Sequence, residues 1–279
     1  MSAALPPWPD LPCSFRVHAG PYRHGPFLAS PSAGPGSLAI TPLFPLALGR
    51  VQLAPDPLDT AMQLQAIRQL QAGASSNPDP GCAWTGDLNG VWQLQRDPLF
   101  APLIQILVGH AGAYLEGLGF DLARLGLHLQ RCWPVVSEAG QLVGRHHHPN
   151  AHLSAVYYFN GDGSGRSGCL RFFPPCQANE LVPGLAVGHD GPLRAAAPGT
   201  GRWNAPWCDV APQAGLLVLF PASVDHAVLE NGDPDDSRFS LSLDLVMTAP
   251  PTPQGRPAAA GGSPEYLAPH PADWQPLTL

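Results

Sequence analysis

Lysine is missing altogether: all 14 basic residues of this 279-residue chain are arginine. That excludes a P-loop lysine, a pyridoxal-phosphate Schiff base and the strand lysine of kinases. Catalysis would have to rest on His, Asp, Arg, Tyr or a bound metal. Paired cysteines at metal or redox spacing are missing too. Six cysteines lie at 13, 82, 132, 169, 176 and 208, and none forms a C-x-x-C pair. Six in a chain of this length make no disulfide framework, so free thiols in a reducing cytoplasm are expected. No apolar run approaches the ~18 residues of a membrane span. No basic residue precedes Arg16, as a signal peptide would require. Charge is sparse, at 13% of residues with a net value of −7, and no basic stripe of the kind nucleic acid demands is present. The expected partner is a small molecule or a peptide, not nucleic acid or a membrane.

What is present is enough apolar material, 44% of residues, for one sizeable core. Residues 1–40 and 249–279 are rich in Pro, Gly, Ala and Ser, and are expected to be disordered. Residues 41–125 read as a helical support region. Asp59 is a plausible helix N-cap, and Ala61, Leu64, Ile67 and Leu70 form a stripe that ends at Gly73. Asp97-Pro98 signals a second start, with Leu103, Ile106, Leu107, His110 and Tyr114 on one face and Gly119 beyond it. The period then changes to two. Leu127 and Leu129 alternate with His128 and Gln130. Short strands are expected at 153–159, 169–173 and 215–220. In the last strand Phe239, Leu241, Leu243, Leu245 and Met247 make an oily face, and Arg238, Ser240, Ser242 and Asp244 a polar one. Such a strand borders a core on one side and a polar cavity on the other. Many short strands without crossover helices predict a mainly β fold with flanking helices, of sandwich or jelly-roll type, over 126–248.

The densest cluster of metal-binding side chains is Arg145-His146-His147-His148-Pro149-Asn150. On extended backbone His146 and His148 point to one side and His147 to the other. Two imidazoles at i and i+2 can grip one metal, with His226, just after a strand, as the distal ligand. Such a set leaves open positions, as an iron that binds oxygen and a cosubstrate requires. His147 is assigned no role. Arg238 follows His226 on the polar face of the last strand, with Ser240 beside it. An arginine fork with an adjacent hydroxyl suits the carboxylate of a dicarboxylic cosubstrate. The competing reading is a surface salt bridge from Arg238 to Asp233, Asp235 or Asp236.

His146-x-His148-Pro149-Asn150, followed by Leu153-Ser154-Ala155-Val156-Tyr157-Tyr158, resembles the 2-oxoglutarate–iron(II) oxygenases of bacteria and phages with an H-x-H-P segment. Gly168-Cys169-Leu170-Arg171-Phe172-Phe173-Pro174 resembles a strand of prolyl-hydroxylase-like oxygenases. Pro212-x-x-Gly215-x-x-x-Leu219-Phe220-Pro221 resembles the strand before their distal His, and Arg238-Phe239-Ser240 their cosubstrate motif. The resemblance covers about 126–247. It implies a double-stranded β-helix (jelly-roll, cupin-like), Fe(II), 2-oxoglutarate and molecular oxygen, with Tyr158 a further contact of the cosubstrate carboxylate. One departure stands out: the usual triad is two His and one carboxylate, and His148 holds the carboxylate's place. Either three His bind the metal, or Asp225 or Asp162 contributes. Three His are preferred, because Asp162 sits in a Gly-rich turn and Asp225 adjoins His226. Trp203 and Trp207, at the end of the long 175–207 insertion, are candidates for a substrate rim or for core anchors. Two other readings compete: a cupin-like three-His dioxygenase without 2-oxoglutarate, which leaves Arg238 and Ser240 without a task, and a non-catalytic binding module.

Overall fold

The computed structural model describes residues 45–74, 79–176, 179, 181, 205–251 and 267–277. The expectations for 1–40, for Trp203 and most of the 175–207 insertion, and for most of the tail lie outside those residues. Every element described lies within one compact unit, Leu46–Leu279.

Two antiparallel sheets carry the fold. The larger has the order β1-β8-β5-β10-β3-β2 and the smaller β4-β9-β6-β7. The strands are β1 Gly49–Gln52, β2 Trp84–Thr85, β3 Gly126–Ser137, β4 Val143–His146, β5 Leu153–Tyr158, β6 Leu170–Phe172, β7 Cys208–Val210, β8 Leu216–Pro221, β9 His226–Val228 and β10 Arg238–Thr248. β1 and β2 fall in the segment read as helical support. Each is too short for its period to show in sequence, and each completes an edge of the larger sheet.

The helices are α1 Pro57–Ala72 and α2 Ala101–Gly117. The N-cap of α1 is Asp56, not Asp59: its side chain accepts from the Leu58 and Asp59 amides, with Pro57 in the first turn. Proline tolerates that position because the first amides have no helical partner. On α2 the buried stripe is Ile104, Leu107, Ala111 and Leu115, while Ile106 is 53% exposed. The expected face was therefore rotated by part of a turn, since Leu107 fits either phase.

One buried cluster joins Ile67 of α1 and Ile104, Leu107, Ala111 and Leu115 of α2 to Phe239, Leu241, Leu243 and Leu245 of β10. Each Ile, Leu or Phe side chain among them contributes about 1.5–3 kcal/mol on burial. The helices thus cover the outer face of the larger sheet. The inner face, with Arg238, Ser240, Ser242 and Asp244 on β10, is left to the cavity side. A register shift in the β10–β3 pairing sets what faces them: Leu245 lies opposite Leu129, but Asp244 lies opposite Arg131. Gln130 is thus the extra residue of a β-bulge. Odd-numbered residues before it share the oily face with Leu245 and Met247, and those after it join the inner face.

Candidate metal and cosubstrate site

β4 and β9 pair so that His146 and His226 lie in register. Two residues past β4, the His148 amide donates to the Ala222 carbonyl at 2.9 Å, which keeps the chain extended and turns a second imidazole to the same side. Ring nitrogens of His146, His148 and His226 lie within 4.8 Å of one another, the one such group among the described residues. Ring centroids are 4.3 Å apart for His146 and His226, and 5.2 Å for each of the other pairs.

Each ring is held through Nδ1. His146 Nδ1 donates to the Gly144 carbonyl at 2.7 Å and His226 Nδ1 to the Val224 carbonyl at 2.9 Å. His148 Nδ1 lies 2.5 Å from Asp244 Oδ1 and 3.0 Å from Ser154 Oγ. Carbonyls and carboxylates only accept, so each Nδ1 carries a proton, and in the neutral form of each ring Nε2 keeps a lone pair. Burial, then the neighbouring His146, pushes the His226 imidazole down to about 3. Burial also holds His146 below the usual imidazole range. Three imidazoles whose ring nitrogens converge are a donor set that fits a divalent first-row metal.

Neither of the two alternative carboxylates enters this group. Asp225 turns to the other side of the histidine run, where it accepts from Arg145 at 2.6 Å and pairs with His147 at 3.1 Å. Asp162 caps its own turn, accepting from the Ser164 amide and hydroxyl. Asp244 is fully buried, and its carboxyl lies below the usual range: burial opposes ionisation, but hydrogen bonds from His148 and Arg131 outweigh it. Arg131 Nη2 reaches Asp244 at 2.5 Å, and its Nη1 reaches Asp87 at 3.4 Å. Asp244 and Arg131 were not singled out from sequence. The polar face of the last strand was a signal for Asp244; the bulge that brings in Arg131 left none.

A cavity of about 490 Å³ opens beside the histidines, its wall including Trp133, Tyr158, Leu170, Ser240 and Ser242. Arg238 lies behind this wall. It is 1% exposed, and its guanidinium donates to the Ser167, Gly168 and Leu229 carbonyls and to the Ser137 hydroxyl. Gly168 has a φ of +88°, and a Cβ there would meet the Leu229 carbonyl oxygen at 2.2 Å and Arg238 Nη1 at 2.5 Å. Only glycine lets the chain pass so close to the arginine. The surface salt bridge to Asp233, Asp235 or Asp236 is not what forms: Asp233 pairs with Arg166, and among the described residues no carboxylate pairs with Arg238. The Tyr158 hydroxyl is buried without a hydrogen-bond partner there. Burial pushes it up to about 12, against the pull of Arg238. Trp207 is absent from the cavity wall and stacks on Arg171 at 4.3 Å.

A jelly roll with three convergent imidazoles between its sheets, a buried arginine and an orphaned tyrosine hydroxyl has the build of an iron(II)- and 2-oxoglutarate-dependent oxygenase. Residues 131–244 match the family described as "Putative 2OG-Fe(II) oxygenase". Among curated proteins none matches the chain. The fold is similar to that of the non-heme alpha ketoglutarate dependent epimerase SnoN from nogalamycin biosynthesis. Identity is 19% over 82% of this chain and 92% of that one, with a TM-score of 0.51. The same epimerase in complex with Fe3+, alpha ketoglutarate and nogalamycin RO gives 19% identity over the same shares and a TM-score of 0.50. A Pseudomonas putida prolyl-4-hydroxylase gives 20% identity over 72% of this chain and 92% of that one, with a TM-score of 0.45. The cofactors of this class are iron and 2-oxoglutarate.

Proposed function

We propose that His146, His148 and His226 hold Fe(II), that Arg238, Tyr158 and Ser240 receive the distal carboxylate of 2-oxoglutarate, and that the enzyme hydroxylates a small-molecule or peptide substrate in the cytoplasm. The observation that carries this reading is the geometry of the three imidazoles, each fixed through Nδ1 with Nε2 free. Bound there, iron with 2-oxoglutarate would supply the activation of oxygen that no side chain can, with succinate and carbon dioxide as the products expected from the cosubstrate. The protein's own part is to orient and to exclude water. A guanidinium has five N–H donors, and the bonds to carbonyls and to Ser137 leave donors for a carboxylate. The Tyr158 hydroxyl and the Ser240 hydroxyl lie on the same inner face, in register across β5 and β10. A buried cation and a buried orphan hydroxyl are costly unless an anion joins them.

The cavity has the volume of a small-molecule site. No helix among the described residues is long and apolar enough to cross a membrane. The three-His reading without 2-oxoglutarate gives Arg238 no anion and the Tyr158 hydroxyl no partner, and the binding-module reading gives the converging ring nitrogens no task. The test is Arg238→Leu. Succinate formation should disappear while Fe(II) binding stays close to wild type, since losing a buried charged partner costs about 2–5 kcal/mol of cosubstrate binding. Unchanged succinate formation by this variant would overturn the assignment.

A further inference from the structure

We infer that Asp244 is the positioning residue of the metal site: the negative charge missing from the triad stands one hydrogen bond behind it, on the ring of His148. The inference rests on the reading of the three histidines as metal ligands. A conventional triad places a carboxylate where this chain has His148. Here a carboxylate is present on β10 of the larger sheet, fully buried, with Oδ1 2.5 Å from His148 Nδ1. It lies outside the group of converging ring nitrogens, so it meets the metal site through the imidazole.

The other two histidines are held by main-chain carbonyls, which are neutral acceptors. Only His148 is backed by an anion. A carboxylate accepting from Nδ1 fixes the tautomer and makes Nε2 a stronger donor. The support is complete on every side of Asp244. Ser154 Oγ donates to Oδ1 at 3.1 Å, and Arg131 donates to Oδ2 from both Nε and Nη2. Arg131 is itself fixed, stacked 4.7 Å over Trp133, whose ring lies 5.7 Å from that of His148. Neither oxygen of the carboxylate is free to turn toward solvent, and the His148 ring cannot rotate without breaking the set.

The experiment has two arms. The first needs no variant: nitrogen–proton correlation NMR of the metal-free wild-type protein reads each histidine's tautomer. His148 is expected as Nδ1–H; finding it as Nε2–H would overturn the inference. In the second, Co(II) affinity is measured by its visible absorption for wild type, Asp244→Asn and Asp225→Asn. An asparagine can offer its amide N–H to Nδ1 and so drive the proton to Nε2. Asp244→Asn is expected to weaken Co(II) binding by about 10- to 100-fold and to shift the His148 tautomer. Asp225→Asn, on the exposed side, should bind as wild type does. Arg131 keeps Asp87 as a partner in Asp244→Asn. If that variant nevertheless fails to fold, the wild-type tautomer decides. Should wild type bind Co(II) through all three histidines while Asp244→Asn binds equally well, the positioning role is wrong and the ligand assignment stands. Should wild type show no site that His146→Ala and His226→Ala abolish, the ligand assignment itself falls.

Discussion

Two His–Asp–Arg sets flank the same short stretch of chain, and they behave as opposites. His147 pairs with Asp225 at 3.1 Å, and Arg145 with Asp225 at 2.6 Å; these side chains are 37–56% exposed. His148 pairs with Asp244 at 2.5 Å, and Arg131 with Asp244 at 2.5 Å, the carboxylate being fully buried. The residue types are the same and the histidines are neighbours. What separates them is the two-residue alternation of extended chain, which sends one ring to solvent and the next between the sheets. In water such an ion pair is screened and contributes little. Behind a metal site the same atoms fix a tautomer and a ring orientation.

The largest effect should come from the histidines themselves. His146→Ala, His148→Ala and His226→Ala should each reduce Fe(II) affinity by at least about 100-fold, beyond what loss of a supporting partner causes. His147→Ala should leave it unchanged. Calorimetric titration under anaerobic conditions separates the cases, and metal loss in His147→Ala with retention in His148→Ala would invert the comparison. Next comes stability. Asp244→Ala leaves Arg131 and His148 without their buried partner, which should cost about 3–5 kcal/mol in urea unfolding of the metal-free protein. Asp225→Ala should unfold at the wild-type midpoint. Equal midpoints for the two variants would mean that burial does not distinguish the pairs.

The smallest effect is on pH dependence. The folded His226 imidazole is pushed down to about 3, whereas its unfolded value is near the ordinary ~6.5. The folded state therefore binds fewer protons than the unfolded one. The stability of the metal-free protein should be complete above that ordinary value and fall as pH drops from 7 to 5, with a slope approaching about 1.4 kcal/mol per pH unit for each such imidazole. His226→Asn should flatten the slope. A profile unchanged by that substitution would show that His226 is no more buried than His147.

Much of this contrast was legible in the sequence. The period-two pattern of β10 showed an oily and a polar face, and both proved real. The i, i+2 spacing separated His147 from its neighbours before any geometry was known. The bulge at Gln130 was not legible. Leu127 and Leu129 set a phase for β3, and a single extra residue reverses it, so Arg131 and Trp133 arrive on the cavity side unannounced. The sequence offers Asp225 and Asp162 as alternative carboxylates and sets both aside, Asp162 for its Gly-rich turn and Asp225 for its place beside His226. Asp244 is distant in sequence from His148, and only the pairing of β5 between β8 and β10 brings them together. The α2 face was misphased for a related reason: an almost wholly apolar helix supports more than one stripe, and packing against β10 chooses among them.

The central claim is that three neutral imidazoles hold iron that 2-oxoglutarate then joins. Anaerobic addition of 2-oxoglutarate to the Fe(II)-loaded protein, followed by visible absorption, tests it most directly. A charge-transfer band that grows to saturation with 2-oxoglutarate in wild type, and does not form in His148→Ala, is the predicted result. Tightly bound iron with no band at any 2-oxoglutarate concentration would contradict the account and favour a three-His dioxygenase that works without the cosubstrate.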